Sequence, residues 1–376
     1  MYQYYSIVLQ KLSIYLKIIG NTYMTFLEQP YKGTLNGILL VAIFAAAATF
    51  IASLSPIQSL GLSPLVIGIV MGIFYANTLH NQMPKAWQSG VTFSAKKILR
   101  FAIVFYGFRI TFQQIAEVGI DGFLVSLIML TSTLILGSWL GYKVFGMEKD
   151  TSILTASGAA VCGAAAVLAT EPVLKAQEHK TAIAVSMVVL FGTISMFLYP
   201  VLYTSIFENA TGFLHMTARE FGIYVGGTIH EVAQVVAVPA SIPNAAVEMA
   251  NDAVIVKMTR VIMIAPMLIF LGLYLSYTSR KEDEQKDTKM QLVIPWFAVY
   301  FIAVSGFNSL QLLPLYIVDL INEIDTFLLT MAMTALGMGT IFSKFKGLGL
   351  APLYTASAIF VWLVVGGFIV TKLICA

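Results

Sequence analysis

The sequence predicts an all-α protein, a polytopic membrane helix bundle of about eleven transmembrane helices, some of them broken at glycine. Three observations carry this prediction. Hydrophobic residues fill 58% of the 376 positions and charged residues 11%, against about 45–50% and about 25% in soluble domains. The apolar residues fall in stretches of about 20, the length a helix needs to cross the hydrocarbon core. Lys and Arg gather in alternate connections, as cytoplasmic loops require. With the N-terminus inside, sixteen of the 22 basic residues are cytoplasmic, and Lys175, Lys180 and Lys372 lie outside.

Taken in order, residues 1–33 carry Lys11 and Lys17 among Ile, Leu and Tyr without a cleavage site. They read as a cytoplasmic, interfacial amphipathic helix and not as a signal peptide. The remainder, 34–376, reads as one transmembrane transporter domain. Its first spans are 34–54, 61–80, 98–117 and 122–143, with Pro30 and Pro84 near span ends, where a missing donor costs little. Next come 151–172, rich in small residues, then 181–203, and 219–238, which holds Gly226 and Gly227. The eighth span, 253–276, is followed by the polar stretch Arg280 to Lys289, a solvated cytoplasmic loop. Spans 292–310, 321–342 and 350–373 complete the set, with Pro314 and Pro352 near their ends.

Transporters are often built from inverted repeats. Sliding Gly107, Phe112 and Gly119 by 230 positions lands on Gly337, Phe342 and Gly349, and sliding Gly158 and Val167 by 68 lands on Gly226 and Val235. The two offsets do not combine into one simple duplication.

The chemistry concentrates in two segments. In the first, Gly158 to Gly163 with Cys162, a stripe of small residues allows either close helix packing or a broken helix whose exposed N–H groups attract an anion. In the second, Gly226-Gly227-Thr228-Ile229-His230-Glu231, glycines precede groups that bind protons or ligands. An ionisable side chain at bilayer depth is expensive, so Glu231 reads as a functional carboxylate, with His230 as its partner in proton coupling. Thr228 offers a hydroxyl, and Gln234 lies one turn beyond His230 on the same face. Of the cations within spans, Arg109 lies nine residues beyond Arg100, roughly 13 Å along a helix, which puts it near mid-depth. Lys257 and Arg260 share a helix face near the outer end of their span, where they either balance an anion or snorkel to the interface.

Other classes fit poorly. No basic run suggests nucleic acid, and no phosphate loop beside a soluble fold suggests an ATP-driven pump. Cys162 and Cys375 have no evident partners, so disulfides, metals and cofactors are not expected. His230-Glu231 resembles the start of the zinc-protease signature, but Gln234 stands where its second histidine belongs. His80, His179 and His215 fall near span ends, and the chain does not read as an enzyme.

At these segments the chain closely resembles the YeiH-type membrane proteins, a family labelled as sulfate exporters. The resemblance rests on Tyr106-Gly107-Phe108-Arg109, Cys162 through Pro172, Phe191-Gly192-Thr193-Ile194, Thr228 through Val236, Ile294-Pro295-Trp296-Phe297 and Met331 through Gly337. It covers nearly the whole chain from about residue 33. One departure weakens side-chain coordination at the first break, because related chains often carry Ser or Thr where this one has Ala159 and Ala160. The resemblance implies discontinuous helices crossing at a substrate site. The expectation is a secondary transporter of a small anion, sulfate by the family label, in the inner membrane. In it Arg109 with Lys257 or Arg260 balances the anion, Thr228 and the helix N-termini orient it, and Glu231 with His230 couples protons. The alternatives are a cation–proton antiporter, in which Glu231 binds Na⁺ or H⁺, and a passive channel.

Overall fold

The computed structural model describes residues 32–58, 63–79, 83–280, 295–345 and 349–375. The expected N-terminal interfacial helix, up to residue 31, and the polar loop after Arg280 lie outside the described residues. Every secondary-structure element among the described residues is helical. In chain order the main ones are α1 (Lys32–Ala52), α2 (Pro64–Thr78) and α3, which runs through Gln88–Phe93, a π turn Ser94–Ile98 and Leu99–Tyr106. Then come α4 (Phe112–Val144), α5 (Lys149–Ala160), α6 (Ala164–Leu174) and α7 (Glu178–Phe207). They are followed by α8 (Ala218–Thr228), α9 (Val232–Ala240), α10 (Val247–Ile262) and α11 (Ile264–Arg280). The last three are α12 (Trp296–Ser309), α13 (Leu315–Gly339) and α14 (Leu350–Cys375).

Among the described residues, five helical runs are long and apolar enough to cross a membrane: α1, α4, α7, the α10–α11 run to Leu275, and α14. α13 is equally long but carries Asp319, Glu323 and Asp325. Local chemistry fixes some starts. At the head of α4, the Gln114 side chain accepts from the Thr111 N–H at 2.9 Å. At the head of α8, Glu220 accepts from the Thr217 N–H at 2.8 Å. Both are capping boxes that satisfy otherwise orphaned donors.

The expected spans 151–172 and 219–238 are each corrected, because neither is a single crossing. In the first, α5 runs inward and α6 runs back. The proof is at the open end: Lys180, in the first turn of α7, pairs with Glu148 at 2.5 Å and Asp150 at 3.2 Å, both at the head of α5. A single crossing would separate these residues by the bilayer core, about 30 Å. The hydrogen bond from Lys180 also holds the Glu148 carboxyl below its usual pKa, so the closure tightens as Glu148 ionises. Leu154 packs in one cluster with Ala184, and Gly158 lies against Val188. α5 and α7 are therefore parallel, which requires α6 to return.

The second hairpin is α8 and α9. Gly222 lies against Met249 and Asp252, and Gly226 against Ala253 and Val256, so α8 and α10 are parallel and α9 returns between them. This hairpin opens on the opposite face. Arg219, at the head of α8, pairs with Asp121 near the start of α4 at 3.3 Å, and Glu220 pairs with Lys372 near the end of α14 at 2.7 Å. The sidedness expected from the sequence changes accordingly. Lys175 and Lys180 share the face of Lys143 and Lys149, and Arg219 lies opposite them.

The two offsets now fit one arrangement. Adding 68 to α5, α6 and α7 gives 217–228, 232–242 and 246–275, which are α8, α9 and the α10–α11 run. Adding 230 to α2 and α4 gives 294–308 and 342–374, which fall on α12 and α14; adding it to 88–109 gives 318–339, within α13. Related elements run in opposite directions, and packing follows the same symmetry: α2 packs on α13 as α12 packs on α3. The second copy is circularly permuted, beginning with its hairpin, so a single offset could not describe it. The helices form two groups. α1, α2, α3, α12 and α13 pack together, and the hairpins pack with α4, α7, α10 and α14.

Candidate functional site

The tips of the two hairpins meet in the middle of the molecule. The first turns at Val161, Cys162 and Gly163, where Gly163 adopts φ 76° and ψ −137°, a conformation few side chains tolerate. The second turns at Ile229, His230 and Glu231, with Ile229 and Glu231 in extended backbone. It lies just beyond Gly226 and Gly227, which remain helical so that α8 can approach Ala253 and Val125. Gly158 is likewise a packing position, against Val167 and Val188.

Lys257 and Arg260 join the two tips. α10 begins at Val247, so Lys257 lies ten residues inside it, roughly 15 Å deep, and not near its end. Both side chains are 0% exposed. The Lys257 ammonium donates to Val161 O and Ile229 O at 2.6 Å and to His230 O at 2.7 Å. Arg260 donates to Ala160 O at 3.1 Å through Nε, to Ala159 O at 3.1 Å through Nη2, and to Gly227 O at 2.5 Å through Nη1. A further Nη2 bond reaches Ala160 O. Under the offset of 68, Val161 corresponds to Ile229 and Ala159 to Gly227. Each cation therefore grips equivalent carbonyls of the two half-helices α5 and α8.

Apart from His230 O in the turn, those carbonyls are the orphaned C-terminal acceptors of α5 and α8, each end carrying about −0.5 charge. Burying a cation costs several kcal/mol. Three charge-assisted bonds of about 1.5–3 kcal/mol each offset that for Lys257. The ammonium has no donor left for a ligand, so Lys257 acts on any ligand through charge.

Glu231 faces the other ends. It precedes α9, and its side chain lies against Gly163, just before the start of α6. Gly163 is its counterpart under the offset of 68, and a methyl group there would lie 2.5 Å from Glu231 Cγ. The carboxylate thus sits at the positive ends of both returning half-helices. Two cations and one carboxylate leave this junction with one net positive charge.

The other expected site residues divide. Gln234 is fully buried, its Oε1 accepting from the Glu231 N–H at 3.1 Å and its Nε2 without a partner among the described residues. The Thr228 hydroxyl is occupied, donating to Tyr224 O at 2.6 Å and accepting from Tyr199 at 2.9 Å. His230 turns its ring away, into a cavity of about 10 Å³ with Thr155, Met187 and Ile359. Arg109 is not brought to the junction. It donates to Asn322 O at 2.7 Å and Thr326 Oγ1 at 2.8 Å, pairs with Asp325 at 3.3 Å, and stacks on Tyr106 at 5.0 Å. Asp325 is not among the residues expected from the sequence, although a carboxylate inside the expected span 321–342 is its signal.

Cys162 lines a pocket of about 620 Å³ between the two helix groups. One wall is α3 and α12, with Arg100, Val104 and Phe297, and the other is α6, α10 and α11, with Leu168, Val261 and Ile264. Pro172, near the end of α6 away from the hairpin tip, also lines it.

The conserved hypothetical protein 698 family matches residues 36–356. The chain is 46% identical to a UPF0324 membrane protein of Pseudomonas putida over 340 residues, covering 90% of this chain and 93% of the relative. A UPF0324 membrane protein of Bordetella pertussis is 46% identical over 347 residues, covering 92% and 97%. One from Bacteroides thetaiotaomicron is 45% identical over 339 residues, covering 90% and 98%.

Proposed function

The chain belongs to the conserved hypothetical protein 698 family, the YeiH-type multi-pass membrane proteins, and from that premise we propose that it is a secondary transporter of a small anion. The observation that carries the reading is the net positive junction of Lys257, Arg260 and Glu231 where the hairpins meet. A positive charge fixed away from water favours an anion, and the N-termini of α6 and α9 offer it donors. Neutralising Glu231 with a proton would raise the net charge from one to two, which matches a dianion such as sulfate and couples its movement to protons.

In this reading nine segments cross the inner membrane, and the hairpins enter from opposite sides without crossing. The face of Lys85, Lys143, Lys149 and Lys175 is cytoplasmic under the positive-inside rule. Alternating access is a movement of the hairpin-bearing group against the other, because the pocket at Cys162 lies between them. The test is flux of labelled sulfate, and of competing anions, in proteoliposomes. Accumulation driven by an inward proton gradient supports the proposal. Proton release evoked by Na⁺ and indifferent to anions would instead support a cation–proton antiporter, and unitary currents would support a channel.

A further inference from the structure

We propose that the pocket between α3, α6, α11 and α12 binds an organic anion, an acid group on an apolar body, in preference to a bare inorganic anion. This rests on the anion-transport reading and names its substrate class. At about 620 Å³ the pocket falls in the range of about 300–1,000 Å³ that holds small organic molecules. Its walls are the apolar side chains of Val104, Leu168, Val261, Ile264 and Phe297. Sulfate would surrender hydration to such walls and gain little for it, whereas an aliphatic or aromatic body removes their surface from water.

Arg100 is the charged side chain that lines the pocket. It lies over the Phe297 ring, 6.0 Å from the centroid, and among the described residues it forms no ion pair. A planar guanidinium held against an aromatic ring presents its edge to a carboxylate or sulfonate. At the pocket's inner end lies Cys162, next in sequence to Gly163, against which Glu231 rests. The bound anion would therefore stand on the path to the hairpin junction. Lipid is the competing occupant, since Trp296 and Tyr300 at the rim are exposed.

The experiment uses the full chain in nanodiscs, with 2-naphthalenesulfonate and sulfate as probes. Affinity is measured calorimetrically, and alkylation of Cys162 is followed in a Cys375→Ser background. The expected result is tighter binding of naphthalenesulfonate than of sulfate, protection of Cys162 by the bound probe, and about ten-fold weaker binding in Arg100→Gln, partly restored in Arg100→Lys. Equal or tighter sulfate binding, unchanged affinity in Arg100→Gln, or a co-purified phospholipid that fills the pocket and excludes the probe would overturn the proposal. Because binding is measured without flux, the two readings fail separately. Naphthalenesulfonate binding without transport of any anion removes the carrier, and sulfate transport without naphthalenesulfonate binding removes only this inference.

Discussion

Lys257 has three N–H donors, and the two hairpins present three carbonyls to them. Removing the ammonium leaves those carbonyls buried and unpaired, so Lys257→Met is expected to destabilise the protein by roughly 3–5 kcal/mol, read as a lowered Tm in detergent. Glu231→Gln keeps the shape, so it should leave Tm within a few degrees and abolish the pH dependence of flux. A pH profile like the wild type's would remove Glu231 from coupling. Gly163→Ala combines a backbone conformation disfavoured by roughly 1–3 kcal/mol with a methyl group driven into Glu231. Both Tm and flux should fall, and an unchanged protein would mean that the turn is not built as described. At this scale the sequence disclosed much. Lys257, Arg260 and Glu231 were visible as ionisable groups among apolar neighbours, and the resemblance drew attention to the same segments. It could not disclose that the cations serve carbonyls, because backbone acceptors are the same in every sequence. Nor could it separate Arg109, which depends on Asp325 of a distant helix.

The hairpins misled for a simple reason. α5 and α6 together hold about as many apolar residues as one crossing, so hydropathy sees a span where the chain turns back. The signal that could have separated them was charge. Lys175 and Lys180 join Lys143 and Lys149 on one face once the hairpin is recognised, which sharpens the asymmetry that a single crossing blurs. Labelling from one side of the membrane checks this directly. Cysteines placed at Lys149 and Lys175 should react with an impermeant maleimide from the same side, and one at Arg219 from the opposite side. Opposite reactivity at 149 and 175 would restore the single crossing.

At the scale of the molecule, the described residues form two inverted copies of one five-part unit, the second permuted, with α1 added. Two matching offsets in the sequence trace it, but the permutation keeps them from combining into one. Such symmetry gives a carrier two equivalent ways of opening, one to each face, about a junction that stays fixed. In the proposed carrier, the pocket that reaches Cys162 would serve as one of these openings. Anion uptake into proteoliposomes with an imposed proton gradient tests the account most directly. The expected result is gradient-driven accumulation that saturates with anion concentration, loses its pH dependence in Glu231→Gln, and is lost in a folded Lys257 variant. Anion flux at the rate of empty liposomes, from protein shown to be folded and inserted, would contradict it.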